Sequence, residues 1–153
     1  LNEIPLPEII NTKFIEMRGA DAGQWHRLCA LPAFWVGICY DQGSLDAAWD
    51  IVKSWDKNDR ENLRIAAAED GLNGSVGSIR LIDLAKETIR ISENGLKKRA
   101  QASSNGIYSD ESLFLDSLKE NIEKRKSSAD DLLEKYHGSW NRDLTKIFEE
   151  YSY

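Results

Sequence analysis

Glu16 and Arg18 stand two apart in the stretch Phe14-Ile15-Glu16-Met17-Arg18-Gly19-Ala20-Asp21. In an extended strand that spacing puts both side chains on one face, with Ile15 and Met17 on the other. A carboxylate beside a guanidinium, backed by an apolar face, suits the holding of a metal–phosphate pair. The carboxylate takes a hard cation and the guanidinium forks onto phosphate oxygens. The same triplet also reads as a surface ion pair on a half-buried strand. Other reactive groups are less organised. His26 and His137 have no second histidine or cysteine at zinc spacing, so structural roles are expected for both. Gly71, Gly74 and Gly77, with Ser75 and Ser78, suggest a phosphate cradle. No lysine follows at the required spacing and no clear strand precedes, so a flexible linker is the expectation. Asp130 and Asp131 have no metal-ligand partner three or four residues on, and helix capping is their expected role.

A longer pattern surrounds the Glu-x-Arg triplet. It runs from Glu16 to Asp21, through Trp25 and Arg27-Leu28-Cys29-Ala30-Leu31-Pro32-Ala33-Phe34-Trp35-Val36-Gly37, to Tyr40-Asp41. This block resembles the glutamate–cysteine ligases of the plant and proteobacterial type. Leu132-Leu133, Tyr136, Gly138, Trp140 and Ile147-Phe148-Glu149-Glu150-Tyr151 resemble that family's C-terminal ending. The resemblance spans nearly the whole chain, dense at both ends and thin in the middle.

It implies ATP-dependent ligation, with L-glutamate and L-cysteine as substrates and Mg2+ and ATP as cofactors. The glutamate side-chain carboxylate is phosphorylated, and the cysteine amine then displaces phosphate to give γ-glutamylcysteine, the first step of glutathione synthesis. The implied parent fold is α+β, with a glutamine synthetase-like antiparallel sheet forming a funnel. Carried onto this sequence, Glu16 is the metal ligand, and Arg18 is the catalytic phosphate ligand that also contacts the nucleotide. Phosphoryl transfer needs charge neutralisation around the moving group more than covalent help, which fits those two residue types. Asp21, Trp25 and Arg27 follow closely enough to reach the same cleft as substrate-binding residues. Trp25 also reads as core packing, and Arg27 as a plain surface or interface arginine.

The chain of 153 residues begins at Leu1, and its only methionine is Met17, within the proposed site strand. The expectation is therefore one C-terminal segment, 1–153, of a larger ligase, inactive by itself. The remainder of the parent would supply further metal carboxylates, most nucleotide contacts and much of the glutamate pocket. A net charge of −6 and a pI near 5.0 argue against a nucleic-acid partner. No apolar run of membrane-spanning length occurs, and no basic leader with an apolar stretch, so no membrane association is expected. Cys29 and Cys39 lie on an apolar stretch and read as buried reduced thiols of a cytosolic protein. A redox switch is the alternative, because some plant members of the family are thiol-regulated. A bacterial cytoplasm is the expected location, or a plastid if the source is a plant.

The elements that must carry these residues are mostly helices. Residues 1–18 form a Pro-punctuated lead-in and the site strand over 12–18, and residues 25–153 the helical part. The run Trp25–Tyr40 suits a helix buried on most sides, with Pro32 breaking or bending it. Ser44 and Asn58 are expected to cap the next two helices, the first through Trp55. A longer helix carries Ile79, Ile82, Leu84, Ile89 and Leu96 inward and ends near Lys97-Lys98-Arg99. That triplet is a solvated helix end, or alternatively a nucleotide-phosphate contact. Ser109 or Asp110 begins a helix burying Leu113, Phe114, Leu115, Leu118 and Ile122. Ser128 caps another ending at His137, and a last amphipathic helix docks Phe148 and Tyr151. Two rival functions stay open: a helical interaction module, and another ligase of the same superfamily that uses a different amine.

Overall fold

The computed structural model describes residues 27–102 and 109–151. The expected strand over 12–18, the Gly19–Gly23 turn and the Ser103–Gly106 loop lie outside the described residues. What is described is helical, apart from one short hairpin in mid-chain.

Helix α1 spans Ala30–Cys39. Pro32 is its third residue, in the first turn, where an amide has no intrahelical acceptor. The proline therefore starts one continuous helix instead of dividing it, contrary to the sequence expectation. As expected, α1 is covered on most sides: Ala30, Ala33, Gly37 and Ile38 are buried, Phe34, Trp35, Val36 and Cys39 half-buried, and only Leu31 and Pro32 in its first turn are exposed.

Helix α2 spans Gln42–Val52 and stops short of Trp55. Its cap is Asp41, whose carboxylate accepts from the Ser44 amide at 2.8 Å. Ser44, expected as the cap, instead lies buried within the first turn. Helix α3, Lys57–Asp70, is capped by Asp56, with Asp59 returning the bond in a capping box. Asn58 is simply inside it. In both cases the aspartate a few residues earlier holds the extended backbone a cap requires.

Beyond α3 the glycine-rich stretch is built, not a flexible linker. A 3-10 turn over Gly71–Asn73 leads into strands β1, Ser75–Val76, and β2, Ile79–Arg80. They pair antiparallel, Ser75 opposite Arg80 and Val76 opposite Ile79. Gly77 closes the hairpin at φ +57, a left-handed conformation that glycine adopts without strain.

Helix α4, Leu81–Ala102, is the axis on which α1, α2 and the following elements pack. A 3-10 turn, Glu111–Leu115, capped by Asp110, then feeds α5, Asp116–Lys124. The tighter turn changes the side-chain spacing, so Leu115 is fully buried while Leu113 and Phe114 face outward. Helix α6, Ser128–His137, is capped by Ser127 with Asp130 completing the box, one residue before the expected cap. Helix α7, Lys146–Glu150, leaves Phe148 exposed, against expectation, whereas Tyr151 just beyond it docks edge-on to Trp140 as expected.

The core gathers Ala33 of α1, Ile89 and Leu96 of α4 and Leu115, with Phe34, Val36, Leu118 and Ile122 packed around them. Two glycines let α1 and α4 approach at backbone distance. A methyl on Gly95 would lie 1.8 Å from the Gly37 carbonyl oxygen, and one on Gly37 would lie 2.2 Å from that of Ser92. Hydroxyls also join α4 to α1 and to α2. Ser92 Oγ donates to the Phe34 carbonyl at 2.9 Å, and Ser44 Oγ lies 3.2 Å from the Ile91 carbonyl. Each uses an acceptor that the opposite helix leaves within reach.

Candidate functional site

Of the five residues singled out for chemistry, Arg27 is within the described structure. Glu16, Arg18, Asp21 and Trp25 lie outside the described residues, as does His26. Arg27 sits half-buried three residues before α1. Its Nη1 donates to the hydroxyl oxygen of Ser128, the first residue of α6, 101 positions away in sequence. The partner is fixed by local chain geometry. Arg125 ends α5 in a left-handed conformation at φ 53 and turns the chain toward Ser127. Ser127 and Asp130 then lock the first turn of α6, with Asp130 accepting from the Ser127 amide at 2.6 Å. These bonds hold the Asp130 carboxyl below its ordinary range, the backbone bond from Ser127 most of all. Asp130 thus has the capping role expected of it.

The surroundings of Arg27 are basic as well as polar. Lys124 is held protonated beyond its ordinary range by the hydrogen bond to Glu120, and the nearby Arg27 charge works against this. Lys126 pairs with Glu134 across the start of α6. The structure therefore brings Arg27 to the corner between α5 and α6, an arrangement that nothing in the local sequence signals.

The basic triplet ending α4 is committed to carboxylates. Lys97 pairs with Glu93 at 2.7 Å, Lys98 with Asp41 at 3.1 Å and Arg99 with Glu111 at 2.5 Å. Arg99 also lies over the Tyr40 ring, 5.9 Å from its centroid. Burial would raise the Asp41 carboxyl, but the hydrogen bonds from Lys98 and Ser44 outweigh it, and the net shift is downward. Lys98 and Arg99 thus tie the cap of α2, the 3-10 turn and the end of α1 to α4, whereas Lys97 bonds within α4 itself. That is a structural use of the triplet, beyond a merely solvated helix end.

The remaining candidates also resolve into structure. Cys29 is exposed and Cys39 half-buried, and both are free thiols, so the expected burial does not hold. They stand at opposite ends of α1. His137 is exposed at the end of α6, its ring edge-on to Tyr136 at 5.1 Å. A shallow cleft of about 260 Å3 lies between the end of α2, the hairpin and the start of α4, with Trp55, Arg80, Asp83 and Glu87 in its lining. Its charges are taken: Arg80 pairs with Asp83, and Glu87 with Arg90. Among the described residues no group of three or more His, Cys, Asp or Glu is placed to hold a metal ion. Among them, too, no helix is long and apolar enough to cross a membrane.

Comparison with known proteins decides the family. The profile of glutamate-cysteine ligase family 2 matches residues 5–150. This chain belongs to that family. The chloroplastic glutamate–cysteine ligases of Solanum lycopersicum and Nicotiana tabacum are each 38% identical to it over 147 residues. That of Arabidopsis thaliana is 37% identical over the same length. The alignments cover 96% of this chain but 27% of each relative. The chain thus spans about a quarter of the length of these family members. The family match covers the block from Glu16 to Arg27 and continues through the corner between α5 and α6.

Proposed function

We propose that the parent protein is an ATP-dependent glutamate–cysteine ligase and that this chain is its C-terminal segment, inactive by itself. The observation that carries the reading is the family match over residues 5–150, which includes the Glu-x-Arg triplet and the residues after it. In this reading the parent is an α+β enzyme with a glutamine synthetase-like sheet, to which the strand over 12–18 adds an edge. Glu16 offers one hard oxygen, the donor type that Mg2+ takes, and Arg18 a planar fork matched to phosphate oxygens. Magnesium's remaining protein ligands would come from the other three-quarters of the parent. Bound Mg-ATP supplies the phosphoryl group that activates the glutamate side-chain carboxylate for attack by the cysteine amine.

Arg18 neutralises charge where it builds up during transfer, so its effect falls on turnover more than on nucleotide affinity. Asp21, Trp25 and Arg27 orient the amino-acid substrates from the chain leaving the strand. Arg27 is held on Ser128 of α6, which fixes where the chain enters α1. The chloroplastic relatives favour a plastid over a bacterial cytoplasm for the parent enzyme.

The test is ADP release by the full-length protein with glutamate and either cysteine or ammonia. Release with cysteine well above the ammonia level is expected, and no release with cysteine above background would overturn the assignment. In the same assay Arg18→Ala is expected to lower kcat about 100-fold with little change in the KM for ATP. An unchanged kcat would remove Arg18 from its role.

A further inference from the structure

Two serines stand at the start of α6, and they have different duties. Ser127 is the cap. Its hydroxyl accepts from the Asp130 amide at 3.2 Å, and its own amide donates to the Asp130 carboxylate at 2.6 Å. Ser128, the next residue, has no part in that box. Its hydroxyl accepts from Nη1 of Arg27, across 101 positions of sequence. A hydroxyl at the first helical position is not needed to start a helix when the residue before it supplies the cap. The use that the structure shows for the Ser128 hydroxyl is therefore its hold on Arg27.

The place of that hydroxyl is preset. Arg125 ends α5 in a left-handed conformation at φ 53, and the Lys126 amide donates back to the Asn121 carbonyl at 3.0 Å. The turn and the capping box together leave the first turn of α6 little freedom. An arginine side chain, by contrast, has many rotamers, and ordering it costs conformational entropy. A bond to a preset acceptor removes that freedom before a ligand arrives. The acceptor is also neutral, so this bond orients the guanidinium without cancelling its charge. A held guanidinium plane matches a carboxylate above other groups, forking onto it with two parallel bonds. Both amino-acid substrates of the proposed reaction carry an α-carboxylate. We infer that Ser128 is a positioning residue, holding the Arg27 guanidinium in the orientation that receives the α-carboxylate of an amino-acid substrate. This rests on the reading of the parent enzyme as a glutamate–cysteine ligase in which Arg27 contacts substrate.

The experiment is steady-state ADP release by the full-length protein, with glutamate and cysteine varied in turn. Ser128→Ala is expected to raise the KM for at least one of the two amino acids about tenfold, with the KM for ATP within about twofold. The substrate whose KM moves is the one whose carboxylate Arg27 takes. Ser128→Thr keeps a hydroxyl there and is expected to bring that KM back to within about twofold of the unsubstituted protein. Ser128→Ala added to Arg27→Ala is expected to change it by less than about twofold, because Ser128 acts through Arg27. The Tm of Ser128→Ala should stay within about one degree, since an exposed hydroxyl outside the cap carries little stability. Unchanged KM values for both amino acids in Ser128→Ala would overturn the inference. So would failure of Ser128→Thr to restore them, or an equal rise in the Arg27→Ala background. A Tm lower by several degrees with unchanged KM values would make the bond structural only. If the unsubstituted protein releases no ADP with cysteine, the ligase reading itself fails, and this inference with it.

Discussion

The seam between α1 and α4 and the corner formed by α6 and α7 are held together in opposite ways. At the seam, contact depends on side chains that are missing. Gly37 and Gly95 let two backbones meet, and the Ser92 hydroxyl, with that of Ser44 from neighbouring α2, uses the remaining space. At the corner, contact depends on one large side chain and the charges around it. Trp140 is buried, donates its indole N–H to Glu150 at 2.7 Å and packs edge-on to Tyr151. Lys135 pairs with the same carboxylate at 2.8 Å and lies 4.7 Å from the centre of the Tyr151 ring. Asn141 and Arg142, both left-handed, reverse the chain between the two helices. The seam cannot give way without moving backbone, whereas the corner can yield one bond at a time.

The largest effect is expected at the seam. Gly95→Val puts carbon where the Gly37 carbonyl already stands, and it should destabilise the full-length protein by roughly 4 kcal/mol or more. A urea midpoint within error of the parent would show that the helices separate freely there. Next comes Trp140→Ala, expected to lose about 3 kcal/mol by emptying a buried site. The contrast predicts where that loss appears. Amide exchange should accelerate across 128–150 while α1 and α4 keep their protection, and uniform acceleration would merge the two regions into one unit. Ser92→Ala is smaller, about 1 kcal/mol, because it removes one buried hydroxyl and leaves the Phe34 carbonyl without it. The same midpoint measurement checks it.

The smallest effect is one of pH, and it separates the regions by chemistry. The Lys135 bond, then the Trp140 bond, hold the Glu150 carboxyl below its ordinary value of 4.5. A carboxyl depressed by folding stabilises above its unfolded value, and the contribution fades as pH falls through the lower folded value. Lys135 moves the other way, raised above 10.5 chiefly by Glu150, so its share is complete below 10.5 and fades above it. The corner should therefore loosen below pH 4.5 and again above pH 10.5, read by Trp140 fluorescence. The glycines and hydroxyls of the seam do not titrate in either window. A Lys135→Met variant that kept the acid transition unchanged would break this account.

These contrasts also mark how much could be read before the fold was known. The long α4 helix, its basic end and the capping role of Asp130 were legible, because each depends on spacing within a few residues. Spacing points to Ser44, Asn58 and Ser128 as caps, whereas Asp41, Asp56 and Ser127 hold that role. Several polar residues stand near each helix start, and only backbone conformation selects among them. Pro32 is ambiguous in sequence for a related reason. Its consequence depends on whether it falls in the first turn or later, and periodicity fixes boundaries poorly. The fate of Leu113 and Phe114 turned on a 3-10 start that composition does not announce. Of the candidate site, the residue types and family were legible in the block from Glu16 to Arg27. The meeting of Arg27 with Ser128 was not.

The division follows from the range of the forces. Short-range signals written into neighbouring residues determined that this chain is helical, acidic and a member of a ligase family, because spacing, charge and motif are properties of order alone. Tertiary structure decided which glycines are indispensable and which cations are already paired. Those outcomes belong to pairs of residues dozens of positions apart, such as Gly37 with Gly95 and Arg27 with Ser128. Their partners are chosen only when the helices pack.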